Sequence, residues 1–106
     1  MTLGEFEQRI FSVALDSPVC AVPATRRLTA TSISLRVDIL TGGFVDIFYN
    51  EQTGTMAFAL IRDGRRVFGA DNTGGWHMHP FADPGGHTPL PDAVSFADFV
   101  AKIEEE

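Results

Sequence analysis

The stretch ISLRVDILTGGFVDIFYN, residues 33–50, decides how this chain folds. Ile33, Leu35, Val37 and Ile39 alternate with Ser34, Arg36 and Asp38, the two-residue period of a strand that buries one side. Thr41-Gly42-Gly43 interrupts the run, because glycine reaches the positive φ of a tight reversal, and Phe44 to Tyr49 resumes as a second strand. Two such runs joined by a short turn predict an antiparallel hairpin.

Towards the C-terminus the pattern repeats. Asn50 to Gly54 reads as a second turn, Thr55 to Arg62 as a third strand, and Asp63-Gly64 as a two-residue hairpin loop returning into a fourth strand, Arg65 to Ala70. On the N-terminal side, residues 19 to 31 contain Pro23 and give no clear strand. Further out, Thr2-Leu3-Gly4-Glu5 has the spacing of a capping box. Leu3, Phe6, Ile10, Val13 and Ala14 follow at helical steps, so a helix is expected over residues 3 to 15, stopped by Asp16-Ser17-Pro18. At the other end Ser95 is an N-cap with Asp98 three positions on, and Phe96, Phe99, Val100 and Ile103 share one helical face. Residues 81 to 91, with Pro84, Pro89, Pro91 and Gly85-Gly86, read as a surface loop. The expectation is one α+β domain over residues 1–106, an antiparallel meander of four to five strands with an N-terminal and a C-terminal helix packed on one face.

Composition narrows the setting. A chain of 106 residues, 44% apolar and 21% charged, suits one core without staples. The single Cys20, in the apolar run Val19-Cys20-Ala21-Val22, cannot form an internal disulfide and reads as an inert thiol, which fits a reducing, cytoplasmic location. No apolar run is long enough for a membrane span, and the N-terminus lacks the basic start and apolar centre of a signal peptide. A net charge of −6 argues against nonspecific binding of nucleic acid over the whole surface.

Assigning strand faces from these turn lengths puts Ala57, Ala59 and Ile61 with Ile33, Leu35, Val37, Phe68 and Ala70 on the floor beneath the helices. Phe44, Phe48, Met56, Phe58, Leu60 and Val67 would then share the opposite face with Arg36, Asp38, Asp46 and Asp71. Such a mixed face suits a groove, a homodimer contact or another protein partner, or equally a second layer formed by the C-terminal helix or the 81 to 91 loop. Asp38 and Asp46 are expected to oppose each other there, as a Mg²⁺ site or, more cheaply, as partners of Arg36 or Arg62.

The stretch GADNTGGWHMHPF, residues 69–81, concentrates the chemistry. With Trp76 to Pro80 extended, His77 and His79 point to one side and Trp76 and Met78 to the other. The Asp71-Asn72-Thr73-Gly74-Gly75 turn brings Asp71 back towards the histidines. Two histidines on one face can flank a phosphate as proton acceptor and donor, or converge on a metal completed by Asp71 or His87. Ordinary turn and strand polarity is the plainer reading. Trp76 is a core or rim aromatic, or a platform for a nucleobase. Arg62 and Arg65 should face each other beside Arg66, a repulsion that an anion would relieve, although a solvated hairpin tip also accounts for them.

An Asp-Asn turn with a nearby glycine, closely spaced histidines, a further downstream His and a C-terminal Ser-Phe-x-x-Phe helix together resemble the TumE-type toxin family of prokaryotic toxin–antitoxin systems and its uncharacterised small relatives. The resemblance spans roughly residues 44 to 104 and rests on Asp71, Asn72, Gly75, His77, His79, Pro80 and His87. It implies a small cytoplasmic α+β protein paired with a DNA-binding antitoxin. The expected function is therefore a toxin component acting on or binding a phosphate-containing target such as RNA. Asp71, His77, His79 and His87 are the catalytic candidates, and Asn72, Trp76, Arg62, Arg65 and Arg66 the substrate-binding ones; no cofactor and no resident metal are assigned. The competing expectation is a noncatalytic interaction or homodimerisation module using the mixed sheet face.

Overall fold

A computed structural model describes residues 1–106. Helix α1 spans Leu3–Asp16, followed by strands β1 (Ala24–Leu28), β2 (Ser32–Asp38), β3 (Phe44–Asn50), β4 (Met56–Arg62), β5 (Arg65–Asp71), β6 (His77–His79) and β7 (Thr88–Pro89), then helix α2 (Phe96–Glu104). The strands form one antiparallel sheet in chain order, so every neighbour in sequence is a neighbour in space. No helix is long and apolar enough to cross a membrane.

Both helices begin as their sequences predict. The Thr2 side chain accepts from the Glu5 N–H while Glu5 reaches back to the Thr2 N–H, and Ser95 and Asp98 do the same at α2. Each closes unpaired donors that a bare helix start would expose. The buried faces, Phe6, Ile10 and Ala14 on α1 and Phe96, Phe99, Val100 and Ile103 on α2, join a core with Ile33, Leu35, Val37, Val45, Ile47 and Tyr49 of the sheet. Phe58 packs against both Phe96 and Phe99, and Phe68 stacks on Phe99, so α2 is anchored over β4 and β5 while α1 lies over β2 and β3. The helices thus share one face of the sheet, the inner face.

Three findings correct the expected sheet. It has seven strands rather than four or five, the additional ones being β1 and the short pair β6 and β7. The segment expected as a plain loop therefore carries the edge strand Thr88–Pro89, where proline suits an edge because it has no donor to leave unpaired.

The second correction concerns faces. Tyr49 pairs with Met56 and Ile47 with Phe58, so residues 50–55 make the connection, one residue longer than expected, and β4 is turned over. Phe58 and Leu60 are buried under the helices, whereas Ala57, Ala59 and Ile61 face outward. A second irregularity then restores β5. Leu60 pairs with Phe68 but Ile61 pairs with Arg66, so Val67 is an extra, bulged residue. Phe68 and Ala70 accordingly stay in the core, 3% and 1% exposed, with Gly69 and Asp71 on the opposite face of the sheet.

The third correction is at the first hairpin, where Val37 pairs with Val45 and Asp38 with Phe44. This offset of two preserves the faces but separates Asp38 from Asp46. Asp46 instead lies opposite Arg36 and accepts from its Nε at 2.9 Å, while the Arg36 guanidinium sits 3.9 Å over the Phe44 ring. Paired with an arginine, Asp46 is not half of a carboxylate pair.

Candidate functional site

Antiparallel pairing builds the site on the outer face. Asp71 lies opposite His77, and Gly69 opposite His79, so the three polar side chains project from two adjacent strands towards the same side. Met78 lies opposite Ala70 and packs inward, which fixes the orientation of β6. The expected alternation of imidazoles out and apolar groups in is therefore what is observed. His87 approaches from the segment before β7, its ring centroid 4.5 Å from that of His79 and 5.1 Å from that of His77.

Hydrogen bonds settle which nitrogen of each ring is free. His77 Nδ1 is 3.0 Å from the Gly75 carbonyl and His79 Nδ1 is 2.9 Å from the Gly86 carbonyl. A carbonyl oxygen can only accept, so both Nδ1 atoms carry the proton and donate. In the neutral rings the lone pairs then sit on Nε2. Both Nε2 atoms point at one carboxylate: His77 Nε2 lies 3.2 Å from Asp71 Oδ1, and His79 Nε2 lies 3.4 Å from Asp71 Oδ2. Lone pairs facing carboxylate oxygens at that range require something positive between them.

A proton or a metal ion can supply it. A divalent cation serves all the lone pairs at once. The ligand atoms of His77, His79 and His87 lie within 4.8 Å of one another. The three imidazoles thus outline three corners of a tetrahedral site, His87 approaching from the open side, with the Asp71 carboxylate beside the Nε2 atoms of His77 and His79. Imidazoles whose second nitrogen donates to a backbone carbonyl are the usual arrangement of histidine metal ligands, because the carbonyl fixes both tautomer and ring orientation. Asp71 is itself steadied by the Thr73 N–H, which donates to Oδ1 at 3.0 Å.

The cluster opens into a cleft of about 590 Å³ lined almost entirely by polar and small residues. Trp76 and Arg66 line it as well. Asn72 does not. Its side chain accepts from the Met56 N–H at 2.8 Å and donates to the Gly54 carbonyl at 2.8 Å, tying the β5 end to the preceding turn. Arg62 and Arg65 oppose each other as expected, at the far end of β4 and β5. There Arg62 makes a two-pronged bond to Glu106, at 2.6 and 2.7 Å, which answers its charge without an external anion. Of the three candidate arginines only Arg66 reaches the cleft.

Sequence reasoning missed the carbonyls of Gly75 and Gly86 that set the tautomers, and Gly69, over which Arg66 passes. Backbone acceptors have no side-chain signature. Gly69 had one, a glycine inside a strand, which marks a bulge or a close approach. Cys20 is half-buried, and burial pushes its thiol up, consistent with an inert role. Comparison with protein-family models, with curated proteins and with solved structures finds no match for this chain.

Proposed function

We propose that the chain binds a divalent transition metal of the Zn²⁺ type through His77, His79 and His87, with the Asp71 carboxylate beside them. The centre would act on a phosphate-containing target such as RNA, as the toxin-like resemblance implies. The observation that carries this reading is the pair of Nε2 lone pairs aimed at the two Asp71 oxygens, at 3.2 and 3.4 Å, with a third imidazole adjoining. Borderline-soft Zn²⁺ suits a donor set of three imidazoles, which leaves the fourth corner of a tetrahedral site open to the cleft, whereas Mg²⁺ and Ca²⁺ prefer oxygen alone. A metal at the floor of an open cleft polarises a phosphoryl oxygen and lowers the pKa of bound water, the contribution hydrolytic chemistry needs.

The metal-free version, with His77 and His79 as a proton-transferring pair across a phosphate, draws less support. Both Nε2 atoms converge on Asp71 instead of facing each other across a gap. The interaction module also loses ground, since Phe58 and Leu60, the centre of the expected apolar patch, are 2% and 0% exposed.

The test is metal content. Wild-type protein dialysed against Zn²⁺ is expected to retain one equivalent, and the His77→Ala/His79→Ala variant none while keeping its circular dichroism spectrum. Wild type that takes up no metal from micromolar Zn²⁺, Co²⁺ or Ni²⁺ sinks the proposal. For the toxin part, induced wild type should arrest bacterial growth and the equally soluble double variant should not.

A further inference from the structure

We propose that the ligand of this centre is a phosphate monoester, its dianionic end group held between the metal and the Arg66 guanidinium. The inference rests on the metal reading above and adds the class of substrate and the residue that selects it.

The β5 bulge puts Arg66 where it is. Regular alternation back from Phe68, which is buried, would turn Arg66 inward beneath the helices. The extra residue Val67 resets the count, so Arg66 pairs with the outward-facing Ile61. From there its stem crosses Gly69. A Cβ built on Gly69 would lie 3.0 Å from Arg66 Cδ and 3.4 Å from His79 Cδ2, so the arginine stem and the imidazole edge flank the space a side chain would have occupied. The guanidinium is therefore seated beside the ligand cluster. One of its five N–H donors reaches the Pro84 carbonyl at 3.3 Å, and no acidic side chain is bonded to it.

Charge then selects the ligand. Neutral imidazoles add nothing, a divalent ion brings two positive charges, the Asp71 carboxylate cancels one, and Arg66, the only Lys or Arg lining the cleft, restores it. Two positive charges match the dianion of a phosphate monoester. A phosphodiester carries one negative charge and would leave half of that unanswered. The guanidinium fork can take two phosphoryl oxygens at once while a third faces the metal.

Zn²⁺-loaded protein titrated calorimetrically with phenyl phosphate and with diphenyl phosphate decides the matter. The titration is run at about pH 8, where the monoester is fully dianionic because its second pKa is about 6. The monoester is expected to bind at least about tenfold more tightly, the scale of one additional charge-assisted contact. Arg66→Gln should abolish that preference and change Zn²⁺ affinity by less than roughly threefold, while Arg66→Lys, with the charge but not the fork, should fall between. Arg26→Gln, on β1 away from the cleft, should alter neither. Equal or tighter binding of the diester overturns the inference, as does undiminished monoester binding by Arg66→Gln. Failure to take up Zn²⁺ shows before any phosphate is added and overturns the metal reading instead. A pentanucleotide with a 5′-phosphate that binds more tightly than phenyl phosphate assigns the group to a nucleic-acid end; equal binding assigns it to a small phosphorylated molecule.

Discussion

At the scale of single residues, the site depends on who holds each imidazole. His77 and His79 are fixed twice, by the strand that carries them and by a carbonyl on Nδ1, whereas no hydrogen bond ties the His87 side chain and the residue is exposed. Ligands of unequal rigidity should contribute unequally. His77→Ala is expected to weaken Zn²⁺ binding by more than about 100-fold, beyond what loss of an outer partner costs, and His87→Ala by roughly 10–100-fold. Competition with a chromophoric chelator measures both, and equal losses would place His87 on the same footing as the strand ligands. The Arg62–Glu106 pair gives a second residue-scale expectation. The bonds from Arg62 hold the Glu106 carboxyl below its ordinary value of 4.5. A depressed carboxyl pKa adds stability that is fully present above 4.5 and lost as pH falls through the lowered value. With both side chains partly solvated, Glu106→Gln should cost no more than about 1 kcal/mol at neutral pH, a deficit that vanishes in acid urea melts. A deficit that persists or grows in acid would show that the pair does not act through ionisation.

At the scale of elements, the strands between residues 32 and 71 were legible because alternation and turn chemistry agreed, but their faces were not. A connection one residue longer than its glycine suggested turned β4 over, and a one-residue bulge in β5 turned the sheet back. Each offset hides the other in the sequence, because Ala57, Ala59 and Ile61 are as apolar as Phe58 and Leu60 and period-two patterning fits either assignment. Volume is the clue that was available: phenylalanine and leucine fill the space beneath a helix, whereas two alanines leave an outer face shallow. The consequence is measurable. Phe58, in contact with Phe96 and Phe99, should lose about 3–5 kcal/mol on truncation to alanine, and Phe48, half-buried on the outer face, less than about 1.5 kcal/mol. Chemical denaturation of the two variants reads the difference, and comparable losses would restore the opposite assignment of faces. The short strands were illegible for another reason. β1 is exposed at every position behind Pro23, β6 is three residues long and β7 two, too little for a period to show.

For the whole molecule, these pieces divide into a packed body and a thinner edge. α1, α2 and β2 to β5 enclose the core, β6 joins it through β5 and Met78, and β7 is a two-residue edge strand reached by a chain rich in glycine and proline. That segment carries the Gly86 carbonyl, His87 and the Pro84 carbonyl that meets Arg66, so the site draws its access side from the least supported part of the fold. The clustering of candidate residues was readable from 69–81, yet the agent that would tie them together was not, because ligand geometry depends on backbone carbonyls, which leave no side-chain signature. A metal bridging β5, β6 and the 80–87 segment would be a cross-link present only in the native state. Binding to the native state alone stabilises by about 2.7 kcal/mol at a hundredfold excess over Kd. For a domain of this size, that corresponds to a rise in Tm of roughly 10 °C or more. Thermal melts with EDTA and with Zn²⁺ should differ by that amount in wild type and coincide in His77→Ala/His79→Ala. Amide exchange should slow on metal addition at residues 77–90, which open locally without the ion, and by up to the same hundredfold in those β2 and β3 amides that exchange only through global unfolding. Slowing in β2 and β3 without slowing at 77–90 would place the ion elsewhere on the molecule. Slowing at β6, β7 and their connection is the outcome expected if the metal ties that edge to the core.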